Sequence, residues 1–137
     1  RVYYVSFGGF DTHNNQRARH DTLMREWNGA VSAFLADLDA QGLSERVLLL
    51  SFSEFGRRVR ENGSAGTDHG VAGPMFLFGK GVRGGLHAEH PSLTDLDQGD
   101  LKMRVDFRSV YAAVLERWLG ADPTAVLGER FNPLPVL

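Results

Sequence analysis

The sequence predicts an α/β fold built on a mostly parallel sheet, and three observations carry that expectation. Residues 2–7 (VYYVSF) are a short, mostly apolar run rich in β-branched and aromatic residues, which reads as a buried strand. Residues 47–52 (VLLLSF) read as a second. Between them, Leu23, Trp27, Ala30, Val31, Phe34, Leu35 and Leu38 recur at helical spacing along one stripe. Strand, long helix, strand is a βαβ unit, whose crossover is right-handed and whose strands run parallel.

Each element has local signals of its own. Gly8 and Gly9 end the first strand. The helix is expected over residues 21–41, with Asp21 as N-cap and Gly42 as the residue just past its end. A polar, glycine-rich loop is expected over residues 53–73, and a third strand (MFLF) over residues 75–78, just after Pro74. Residues 79–85 read as a turn-rich connection and residues 91–100 as an exposed acidic loop. A second amphipathic helix is expected over residues 106–119, capped by Asp106 and ended by Gly120. Asp122 and Pro123 read as the N-cap and first residue of a short last helix closed by Gly128. Asn132, Pro133 and Pro135 mark an extended tail.

The chain has 137 residues, so a single domain spanning residues 1–137 is expected. It starts at Arg1 already reading as a strand, which suggests an excised piece of a longer domain. With 42% hydrophobic and 23% charged residues, a wholly disordered chain is excluded. A net charge of −2 argues against general nucleic-acid binding. No apolar run approaches the roughly 20 residues of a membrane helix. Cysteine is absent, which removes disulfides, thiol catalysis and iron–sulfur clusters and leaves His, Asp, Glu and oxygen donors for any metal.

Ligands of a parallel sheet bind beyond the carboxyl ends of its strands. Here those ends run into Asp11-Thr12-His13 and into Ser53-Glu54-Phe55-Gly56-Arg57. Asp11, His13 and Glu54 are therefore expected to approach one another. A third polar cluster, Gly66-Thr67-Asp68-His69-Gly70, presents an Asp-His pair between glycines. The expected set is Asp11, His13, Glu54, Asp68 and His69, a donor mixture that suits a divalent metal such as zinc or manganese. Arg57 lies close enough to hold a substrate anion bidentately. Taken singly, each residue has a plainer reading: Asp11 as a cap, Glu54 in an ion pair with Arg57 or Arg58, His69 as a turn residue. His87-Ala88-Glu89-His90 reads as a solvated loop, His20 as surface, and Asn62-Gly63-Ser64 first as a turn.

Four motifs occur in order: GGFDTHNNQ (residues 8–16), SEFGR (53–57), GTDHG (66–70) and DFRSVY (106–111). Together they resemble the C-terminal part of a bacterial family catalogued as domain of unknown function 1501, over residues 3–128. That family is grouped with the alkaline phosphatase-like superfamily of phosphatases, sulfatases and phosphate mutases. The resemblance implies a three-layer α/β/α sandwich with metals at the carboxyl edge of the sheet. It also implies one metal held by Asp11, His13 and His69, with Glu54 near a second. Phe55 follows Glu54 where the superfamily commonly has histidine. The superfamily's nucleophile lies in its N-terminal half, so the implied partners are that missing portion of the same protein and a small anionic ester. Many relatives look exported, which implies a periplasmic or exported bacterial protein.

The expectation is a metal-dependent hydrolase of phosphate or sulfate esters, with Glu54 and Arg57 as catalytic residues. The alternative is a non-catalytic metal-binding or structural module of an exported bacterial protein.

Overall fold

The computed structural model describes residues 1–137 and contains three α-helices and six short strands. The helices follow the apolar spacing closely. Helix α1 spans Gln16–Ala40, beginning before the expected Asp21, with Asn15 at φ 41° as its N-cap. It ends in a Schellman motif: Leu43 N donates to Leu38 O (2.8 Å) and Gly42 N to Asp39 O (3.1 Å), with Gly42 at φ 68°. A 3₁₀ turn over Ser44–Arg46 follows. Helix α2, Phe107–Ala113, is capped by the Asp106 carboxylate, which accepts from Arg108 N, and continues as a π-turn over Val114–Trp118. Helix α3, Pro123–Leu127, has the expected Asp122 cap, Pro123 in its first turn and Gly128 at φ 81° behind it.

The sheet differs from the expectation. Strand β1 (Leu49–Ser51) pairs antiparallel with β4 (Phe76–Phe78), Leu50 facing Leu77. Strands β2 (Gly56–Glu61) and β3 (Thr67–Gly70) form an antiparallel hairpin. Strands β5 (Leu96–Asp97) and β6 (Asp100–Leu101) form another across Gln98 and Gly99, whose φ values of 48° and 90° suit a tight hairpin turn. Three two-stranded antiparallel sheets replace the expected mostly parallel three-layer sandwich. The reason lies in residues 2–7, which pair with nothing. Their backbone joins no ladder, and the side chains of Val2, Tyr3, Tyr4 and Val5 are 77–89% exposed. Without that strand, the residues 47–52 segment has no parallel neighbour and pairs with β4 instead.

The two expected loops that proved structured, residues 53–73 and 91–100, hold β2–β3 and β5–β6. The hairpins are tied together by Arg58, which donates to Gln98 O (2.5 Å) and lies 3.5 Å from Asp100. Trp27 packs helix α1 onto β4 through Phe76 and Phe78, ring centroids 5.3 and 5.9 Å away. Phe52 and Tyr111, at 6.1 Å, join the end of β1 to α2. The tail is extended but anchored: Arg83 N donates to Val136 O, Leu134 N donates to Ser109 O, and Val136 is buried.

The buried apolar core is small, comprising Leu23, Leu38, Val110, Ala112, Ala113 and Val136. The accessible surface is 9695 Å². A close-packed monomer of 15.1 kDa exposes about 7,100 Å². The excess, on the order of 2,600 Å², reflects the small buried core and the bare segment at residues 2–7. No helix is long and apolar enough to cross a membrane.

Candidate metal centre

The β2–β3 hairpin is the platform of the site. Its turn is organised by Asn62, whose side-chain oxygen accepts from Ser64 N (2.9 Å) and Gly66 N (3.1 Å). The turn reading of Asn62-Gly63 therefore holds. The loop carrying Asp11 and His13 lies against this turn. Asn62 Nδ2 donates to His13 O (3.0 Å), and Asn15 N and Gln16 N donate to Ser64 O and Ala65 O. The approach is close enough to demand glycine: a Cβ on buried Gly66 would lie 2.4 Å from the His13 carbonyl carbon and oxygen. Loop and hairpin thus meet backbone to backbone, and the side chains of His13 and His69 emerge side by side.

Three ligand atoms converge there. Asp11 Oδ1 lies 3.0 Å from His13 Nε2 and 2.8 Å from His69 Nε2, and the two Nε2 atoms are 3.2 Å apart. The hydrogen bond from His69, with His13 acting in the same sense against the effect of burial, holds the Asp11 carboxyl below the ordinary carboxylate range. A carboxylate only accepts, so each short contact to Asp11 Oδ1 is a hydrogen bond when the imidazole carries its proton on Nε2 and a pair of candidate ligand atoms when it does not. Donor atoms held about 2.0–2.1 Å from one zinc, at angles between octahedral and tetrahedral, sit about 2.9–3.4 Å apart. The observed separations match that span to within 0.1 Å. All three residues are exposed, so the centre opens to solvent.

Of the expected set, the structure brings Asp11, His13 and His69 together. Asp68 stands beside them, its Oδ1 3.7 Å from His13 Nδ1 and 3.3 Å from Asn62 Nδ2. Glu54 is exposed on the β1–β2 connection, makes no ion pair, and is not among the converging donors. Arg57 is occupied: Nη1 donates to Thr67 O (2.5 Å), and Nη2 to Phe10 O (2.6 Å) and toward Thr12 Oγ1 (3.5 Å). His87 and His90 face separate backbone carbonyls, of Arg83 and Pro91. His20 is exposed on α1, its ring edge against Phe10. Two residues of the site were not anticipated. Asn62 carries a turn signal but none for its bond to His13. Phe55 stacks flat on the His69 imidazole, centroids 3.7 Å apart and planes 11° from parallel, a contact with no mark in the sequence.

Fold and site together define a small chain of helices and short two-stranded antiparallel sheets that presents an exposed Asp–His–His cluster where the loop before α1 meets the β2–β3 hairpin. The family described as protein of unknown function (DUF1501) matches residues 1–130, and the chain belongs to that family. No curated protein and no solved structure matches it.

Proposed function

We propose that Asp11, His13 and His69 hold a divalent metal ion, zinc or manganese, and that the centre serves the hydrolysis of phosphate or sulfate esters. The observation that carries the reading is the convergence of three ligand atoms within 3.2 Å of one another from segments more than 50 residues apart. One carboxylate and two imidazoles suit these ions. When bound, the ion supplies Lewis-acid polarisation of a phosphoryl or sulfuryl oxygen. Asp11 contributes the anionic ligand. Asp68 adds a second carboxylate beside the ligands, its Oδ1 3.7 Å from His13 Nδ1. Ester chemistry is what the motif resemblance implies through the grouping of that family with phosphatases and sulfatases. A periplasmic or exported setting is proposed with it, as the motif resemblance implies.

A second reading, a metal-binding module without catalysis of its own, is favoured by Thr12. This hydroxyl lies between two of the ligands in sequence, yet it is turned to Phe10 O and Arg57. In either case the apolar run at residues 2–7 is left bare in this chain.

Elemental analysis of the purified protein and of its His13→Ala/His69→Ala variant tests the site. About one equivalent of transition metal, lost in the variant, is the expected result. Failure to retain metal after incubation with zinc or manganese refutes it. In a longer polypeptide of the same protein, His13→Ala separates the two readings. Loss of ester hydrolysis at an unchanged melting temperature supports the enzyme, and loss of stability alone supports the structural module.

A further inference from the structure

We infer that Arg57, together with Phe55, is a positioning residue of this centre, setting how far the loop of Asp11 and His13 stands from the strand of His69. The inference rests on the metal reading above and explains what makes its donors converge. Asp11 and His13 lie on a segment without regular secondary structure, whereas His69 lies on β3. Something must fix one against the other. Arg57 sits opposite His69 in the hairpin register. Its guanidinium spans the gap, with one terminal nitrogen on Phe10 O, next to Asp11, and the other on Thr67 O, two residues before His69. The planar fork aims donors on two separate nitrogens at the two carbonyls, whereas a lysine ammonium has all its donors on one nitrogen. Together with the contact to Thr12 Oγ1, these bonds use three of the five guanidinium N–H donors.

Phe55 completes the arrangement. Its ring lies parallel to the His69 imidazole at 3.7 Å, which fixes the plane in which Nε2 points at Asp11. The Arg57 guanidinium carbon stands 5.1 Å from the centre of that ring, so the two residues brace each other. Neither offers a ligand atom, yet displacing either changes the ligand triangle.

The test compares the wild-type protein with Arg57→Lys, Phe55→Leu and, as a control, Arg60→Lys, an exposed position on the same strand. Zinc affinity is read by chelator competition, metal-free stability by thermal unfolding, and ligand geometry by the visible absorption of the cobalt(II) form. Arg57→Lys keeps the charge and is expected to weaken zinc by about 10- to 100-fold with an altered cobalt spectrum, while Arg60→Lys matches the wild type. Wild-type zinc affinity and cobalt spectrum in Arg57→Lys overturn the inference. If Arg57→Lys fails to fold, Phe55→Leu decides, because it leaves every Arg57 hydrogen bond in place. About tenfold weaker zinc then supports the assignment, and unchanged affinity overturns it. A wild-type protein that binds neither zinc nor cobalt refutes the metal reading itself, a result distinct from both.

Discussion

Replacing Gly66 by alanine tests whether loop and hairpin are as tightly apposed as the site requires. The added methyl would lie 2.4 Å from the carbonyl carbon and oxygen of His13 and 2.8 Å from Asn14 N. All three are backbone atoms, so no side chain can swing aside. Restoring an ordinary contact means moving the His13 peptide by about 1 Å, and overpacking of this kind costs about 1–3 kcal/mol. In a chain of this size each kcal/mol lowers the melting temperature by about 3–5 °C. The same displacement acts on a ligand triangle whose sides are 2.8–3.2 Å, so zinc affinity is expected to fall as well. Gly63→Ala, three residues away with nothing within 4 Å of its added methyl, is the control. Thermal unfolding without metal and calorimetric zinc titration give the two readouts. A Gly66→Ala protein that melts and binds zinc like the wild type would refute the close approach of loop and hairpin and this account of what holds the ligands together.

Zinc at 100 times its dissociation constant is expected to stabilise the wild type by about 2.7 kcal/mol in thermal scans, and to leave His69→Ala unmoved; equal shifts in both would place the ion elsewhere. Tyr4→Asp is expected to change stability by no more than about 0.5 kcal/mol, because the side chain is 77% exposed and touches no core; a loss of several kcal/mol in chemical denaturation would mean that residues 2–7 are packed. Asp106→Ala removes the α2 cap and is expected to cost about 1 kcal/mol by the same method. The side-chain hydrogen bond from Arg108, and its backbone N–H next, lower the Asp106 pKa in the folded chain. That stabilisation is present above the unfolded pKa of about 3.9 and fades as pH falls through the lower folded value. Asp106→Asn should therefore show a shallower loss of melting temperature on acidification below about pH 4 than the wild type, and parallel curves would contradict the assignment.

The helices were legible because their signals are local. Leu23 and Leu38, on the apolar stripe, are two of the six buried core residues, and Asp106, Asp122, Gly42 and Gly128 occupy the capping positions their chemistry favours. The sheet was not legible, because pairing is a property of neighbours. Residues 2–7 have a strand's composition and no strand beside them. β2 reads GRRVRE and β3 reads TDHG, charged and polar runs that no alternation of apolar residues identifies. Their register shift between Arg57 and Glu61 further hides the pattern. The cluster of Asp11, His13 and His69 could be anticipated from residue type, although the route expected was a parallel sheet edge and the structure uses an antiparallel hairpin. Arg57 carried a chemistry that suits anions and carbonyls equally, and only its neighbours distinguish the two.

The bare segment at residues 2–7 has a consequence for the chain on its own. Six consecutive residues, VYYVSF, carry no charge, no proline and no glycine, and their backbone donors and acceptors face solvent. Such a run can stack in register with copies of itself into a cross-β ladder, each strand satisfying the next. The only nearby brakes are Arg1 before it and Gly8-Gly9 behind it. A solution of this chain should accordingly form thioflavin-positive fibrils in a concentration-dependent way, and a lysine at Tyr4 should suppress them by placing like charges along the stack.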